Sequence, residues 1–102
     1  MTKLNASGAF EYRCAYRWLP ISEGKTGDVE GFFGTSLQGE AGARRDAIDQ
    51  IHRKLVHVNH ARRWKKLPED VYDSARLITS IKGLTMAEKA LIETDWKTRV
   101  RY

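Results

Sequence analysis

From Phe10 to Trp18 the chain alternates without a break. Phe10, Tyr12, Cys14, Tyr16 and Trp18 fall on one face, and Glu11, Arg13, Ala15 and Arg17 on the other. A period of two with this many aromatics predicts a half-buried strand. Pro20 ends it or marks its edge. Ser22-Glu23-Gly24-Lys25-Thr26-Gly27-Asp28 is rich in turn residues and predicts a hairpin loop. A second strand follows over Val29–Leu37, with Val29, Gly31, Phe33, Thr35 and Leu37 on one face and Phe32 on the other. Sequential strands joined by a short loop pair antiparallel.

Beyond this hairpin the period changes. Ala43, Ala47, Ile48, Ile51, Leu55 and Val58 recur at three and four, the stripe of an amphipathic helix. Asp49 precedes Arg53 by one turn, the favourable order for an ion pair. The helix is expected to fray over Val56–Asn59, where β-branched alternation also allows a short strand. Leu67-Pro68 is a boundary. A second helix is expected after it, with Glu69 and Asp70 in its first turn, Val71, Ala75, Leu77, Ile78 and Ile81 as its stripe, and Gly83 just past its end. Thr85-Met86-Ala87-Glu88 fits a capping box opening a third helix, Met86 to about Lys97, that buries Ala87, Ala90, Leu91 and Trp96.

A chain of 102 residues holds one core and one domain. The expected fold class is α+β: a small antiparallel sheet, the β-hairpin, with about three helices on one face, in the order β-β-α-α-α. Residues 1–8 read as an N-terminal arm and 98–102 as a basic tail. The N-terminus has no apolar signal region, and no run approaches the ~20 apolar residues that span a bilayer. A single cysteine, Cys14, fits a reducing compartment, and on an apolar strand face it reads as a small buried hydrophobe. A cytoplasmic location is expected.

Charge is uneven along the chain. Residues 1–51 hold six Lys/Arg against seven Asp/Glu, and residues 52–102 hold twelve against six. The positive half attracts anionic partners. Its densest part is Arg53, Lys54, Arg62, Arg63, Trp64, Lys65 and Lys66, with His57 and His60 between them. Cations neutralise phosphates or acidic side chains, and an aromatic among them stacks or packs. The competing reading is a solvated helix end, where the dipole favours cations in any case, with Trp64 folded back into the core.

Other chemistries have less behind them. His52, His57 and His60 lack a fourth ligand at zinc spacing, so no metal and no cofactor is expected. Glu11, Glu30 and Asp46 could serve acid–base chemistry, but nothing in the sequence pairs them. Ser36 and Ser74 lack a nucleophile context. The chain is not expected to be an enzyme. The helices flanking Gly83-Leu84-Thr85 could form a helix-turn-helix, but Glu88, Glu93 and Asp95 suit a recognition helix poorly and favour a plain αα-hairpin. In Gly31-Phe32-Phe33-Gly34 the glycines mark a bulge or a close approach. Phe32 is expected under a helix and Phe33 toward a loop; the alternative leaves Phe32 exposed for a partner.

In layout the chain resembles small phage-encoded accessory proteins, of which anti-CRISPR proteins are examples. The features concerned are a short Met-initiated chain, an aromatic hairpin over Phe10–Leu37, a helix starting around Ala43-Arg44-Arg45-Asp46-Ala47, and no catalytic motif. The resemblance implies a protein that binds and blocks a larger host nucleoprotein complex, and it carries over no functional residues. The expected function is therefore a small non-catalytic binding protein, an inhibitor or adaptor using the basic and aromatic patch. Its partner would be a protein with an acidic or nucleic-acid-binding surface. The alternative is a DNA- or RNA-binding module that meets phosphates with the same residues. No membrane partner is expected, and an exposed strand edge leaves both monomer and homodimer open.

Overall fold

The computed structural model describes residues 2–4, 9–18 and 27–99. Strand β2 (Phe10–Trp18) is the centre of the sheet. Strand β3 (Asp28–Ser36) pairs antiparallel along its whole length, from Phe10 opposite Ser36 to Trp18 opposite Asp28. Of the expected hairpin loop, residues 22–26 lie outside the described residues, and Asp28 is the first residue of β3. The other edge of β2 is shared by two short strands. Strand β1 (Thr2–Leu4) lies opposite Phe10–Tyr12, and β4 (Leu77–Ile78) opposite Ala15 and Tyr16. The sheet is thus three lanes wide and antiparallel throughout. Part of the expected N-terminal arm is strand β1, and Thr98 and Arg99 of the expected tail belong to a helix.

Among the described residues two helices, not three, pack on this sheet, and they lie on opposite faces rather than one. Helix α1 (Glu40–Trp64) covers the aromatic face of β2. Ala43, Ala47 and Ile51, each fully buried, meet Tyr12, Cys14, Tyr16 and Phe32. Helix α2 (Met86–Arg99) covers the reverse face, where Ile92 meets Ala15 and Val29 and Trp96 packs alongside. Each large apolar side chain enclosed in this way stabilises the fold by roughly 1.5–3 kcal/mol.

The Gly31–Gly34 segment makes the three layers possible. Alternation puts Phe32 and Gly34 toward α1, and Gly31 and Phe33 toward α2. A Cβ on Gly34 would stand 2.6 Å from the Ala47 nitrogen, and one on Gly31 2.8 Å from the Ile92 carbonyl oxygen. Both helices therefore rest on the sheet where it has no side chain. Phe32 is buried under α1 as expected. Phe33 does not face a loop; it is buried on the reverse face, with the Arg13 guanidinium 5.4 Å from its ring centre and 5.8 Å from that of Trp96.

Polar anchors set the rotation of α2. Asp95 accepts the Gly31 N–H at 2.9 Å, and the Trp96 indole donates to the Cys14 carbonyl at 2.9 Å. The expected capping box is present: Thr85 Oγ1 accepts the Glu88 N–H, and Glu88 accepts the Thr85 N–H. Glu88 also pairs with Arg17 at 2.9 Å. These bonds turn Ile92 inward and leave Ala87, Ala90 and Leu91, expected to be buried, on the solvent side.

The helix expected after Pro68 is absent. Residues 67–73 form no regular secondary structure, then a single 3-10 turn (Ser74–Arg76) leads into β4. The acidic residues meant for a first helical turn bind elsewhere. Asp70 is buried against Arg76, which reaches both its oxygens, and Asp73 caps the 3-10 turn through the Ala75 N–H. Tyr72 stacks on Tyr16, whose hydroxyl accepts the Asp73 N–H at 3.1 Å. With no helix before it, Gly83 belongs to the turn closed by Leu84 N–H on the Ile81 carbonyl. Neither a helix-turn-helix nor an αα-hairpin forms.

The outer edge of β3 is not open for pairing. The Gly31 N–H is bound by Asp95, the Phe33 carbonyl by Gln50 and the Thr35 N–H by Asp46. Side chains from both helices thus occupy the groups a second strand would need.

Substituting Gly34 by Ala is expected to destabilise the fold by about 3 kcal/mol, because α1 must lift from the sheet. Chemical denaturation measures this; a loss below ~0.5 kcal/mol would show that the helix does not rest on the glycine.

Candidate interface at the end of helix α1

Helix α1 runs back along β3. Its start sits on Gly34, and Lys54 reaches Glu30 at 3.4 Å. At 1.5 Å per residue its 25 residues span about 37 Å, against about 30 Å for the nine residues of β3. The last turns therefore overhang the sheet. The helix does not fray at Val56–Asn59, and no strand forms there. Arg53 and Asp49 also do not form the expected ion pair.

The inner side of the overhang is held by the returning chain. Asn59 Oδ1 accepts the Asp70 N–H at 2.6 Å, and its amide donates to the Asp70 carbonyl at 2.8 Å. Arg62 Nε donates to the Pro68 carbonyl at 2.6 Å. Arg63 pairs with Glu69 at 2.9 Å, both side chains half exposed. An exposed pair of this kind contributes up to ~1 kcal/mol.

The helix ends in a Schellman motif. The Leu67 N–H bonds the Arg62 carbonyl, and the Lys66 N–H bonds that of Arg63. The motif places one residue in the left-handed region, where glycine is usual. Here it is Lys66, with φ 58°.

The basic cluster seen in the sequence is thus divided. Lys54, Arg62 and Arg63 hold the fold together. Among the described residues, no hydrogen bond or ion pair engages the side chains of Arg53, Lys65 or Lys66. At 100° per residue, Arg53, His57, His60 and Trp64 share the outward face of α1, with Val56 beside them. All five are exposed, Trp64 by 85%. The other two tryptophans are tied down: Trp18 donates to Glu30 at 2.9 Å and Trp96 to Cys14. Trp64 does not fold back into the core.

This common face was readable from the spacing 53, 57, 60, 64, once the helix is taken through to Trp64. The conformation of Lys66 had no signal in the sequence, because no glycine marks the helix end.

The remaining chemical candidates have structural places. Asp46 binds the Thr35 N–H and the Gln50 amide, Glu30 binds Trp18 and Lys54, and Glu11 is buried on the α2 side of β2. The Ser36 hydroxyl accepts the Gln38 N–H, and Ser74 opens the 3-10 turn. His52 lies edge-on to Tyr72 at 4.6 Å, away from His57 and His60 on the outward face. Among the described residues, no three His, Cys, Asp or Glu side chains gather as metal ligands would. Burial pushes the Cys14 thiol up to about 12, so it stays protonated as an apolar group. The Thr85 N–H, then Arg17, hold the Glu88 carboxyl below its ordinary value. Among the described residues, no helix is long and apolar enough to cross a membrane.

Comparison with protein-family models, curated proteins and solved structures gives no match.

Replacing Lys66 by Gly is expected to stabilise the protein by about 1 kcal/mol, by relieving the left-handed backbone. Thermal unfolding reads this directly; a fall in Tm would show that the lysine side chain stabilises the fold itself.

Proposed function

We propose that the chain is a non-catalytic binding protein that docks on an anionic macromolecule through the outward face of α1, from Arg53 to Trp64, together with the exposed lysines at the helix end, Lys65 and Lys66. The observation that supports this most is the state of Trp64. Its indole stands 85% exposed among cations the fold does not use, while the other two indoles are hydrogen-bonded. Tryptophan at an interface supplies a large contact area at small entropic cost, and exposed cations draw a negative partner to it. An inhibitor of a larger nucleoprotein complex would need such a face, and that role adds no residue to it.

Heparin binding tests the reading, with a charge-matched control on the same helix. Arg53→Glu with Lys65→Glu is expected to lower affinity for a heparin oligosaccharide by roughly tenfold or more. Arg44→Glu with Arg45→Glu, the same charge change on exposed residues at the start of α1, is expected to have a much smaller effect. Equal losses would mean that heparin senses net charge alone, and no docking face would exist.

A further inference from the structure

We infer that the partner of this face is single-stranded nucleic acid, bound without sequence preference, with Trp64 as the platform for a base and Arg53, Lys65 and Lys66 against phosphates. The inference rests on the docking face proposed above and names its ligand.

Three observations on the face favour this ligand over an acidic protein. First, residues 50–68 contain six Lys/Arg and no Asp or Glu. Of the nearby carboxylates, Glu30, Glu69 and Asp70 are each bound to a cation of the fold, and exposed Asp49 stands one turn before Arg53, at the edge of this stretch. A continuous run of positive potential suits a phosphate backbone. Second, the cations left free are largely lysines. Lysine is depleted from protein–protein interfaces, which favour arginine, yet it meets phosphate well as a point charge. The arginines best placed for a protein contact, Arg62 and Arg63, are bound to Pro68 and Glu69. Third, Lys66 keeps a long cationic side chain where glycine would relax the backbone. Strain held at an exposed residue with no internal partner suggests that the side chain acts on something outside the molecule.

The same face argues against reading a duplex. Base edges in the major groove are recognised by asparagine, glutamine or arginine aimed at them. The two amide side chains of α1, Gln50 and Asn59, point inward, to Phe33 and to Asp70. Beside Arg53, the outward face carries a flat indole and two imidazoles, which suit stacking on unpaired bases more than reading an edge.

The test uses a fluorescein-labelled oligothymidylate of about 20 nucleotides, in an anisotropy titration over a salt series. Wild type is expected to bind it more tightly than duplex DNA. The slope of log K against log salt should be about −2, from three cations at ~0.7 each. Trp64→Ala is expected to weaken oligothymidylate binding by roughly tenfold or more, while its heparin affinity and Tm stay at the wild-type values. Oligothymidylate binding unaffected by Trp64→Ala, duplex bound as tightly as single strand, or no nucleic-acid binding beside intact patch-dependent heparin binding would each overturn this inference. The docking face would stand, with an acidic protein as its partner. Heparin binding indifferent to Arg53 and Lys65 would remove the face, and this inference with it.

Discussion

The two helices close tightly on opposite faces of this narrow sheet because neither face carries a side chain at the point of closest approach. Gly31 and Gly34 meet that condition at adjacent points of β3, one for each face. The phenylalanines between them fill the space left on either side. A 102-residue chain has little material for a core, and this arrangement lets a three-lane sheet bury both its faces. The alanines Ala43 and Ala47 serve the same purpose on α1, since larger residues would hold the helix off Gly34.

Once the helices rest this close, their polar side chains reach the sheet. Asp46 and Gln50 from α1 and Asp95 from α2 bind the outer edge of β3, and Trp96 binds the central strand. These bonds fix the rotation of each helix and remove the edge as a pairing site. Because α1 follows β3 with a short connection and is longer than the strand, its end projects past the sheet. The returning segment covers the inner side of that end through Asn59, Arg62 and Arg63. What is left uncovered is the outward face with Arg53, His57, His60 and Trp64, and the exposed helix end with Lys65 and Lys66.

Much of this was legible in the chain itself. The alternation over residues 10–18 gave β2 its limits, and the Thr85–Glu88 capping box marked the start of α2. The buried stripe of α1 was legible from Ala43 to Ile51, and so was the basic and aromatic cluster near its end. The errors came where a long-range partner overrode a local pattern. Residues 69–81 carry helical spacing, but Asp70 is claimed by Arg76 and Asn59, and Leu77–Ile78 by β2. In α2 the apolar spacing pointed to Ala87, Ala90 and Leu91, yet the hydrogen bonds of Asp95 and Trp96 turned Ile92 inward. Local charge density also could not say which cations of the cluster were free. That depended on Pro68 and Glu69, which the fold brings back beneath the helix.

The fold occupies the indoles of Trp18 and Trp96 and leaves that of Trp64 exposed. Proton NMR of the three indole N–H groups tests this most directly. The signals of Trp18 and Trp96 should exchange slowly with solvent and hold their positions when a heparin oligosaccharide is added. The Trp64 signal should exchange fast and shift with the titration. A slow-exchanging Trp64 indole, or one that stays fixed while the other two move, would show that Trp64 is held by the fold and is not part of a docking face.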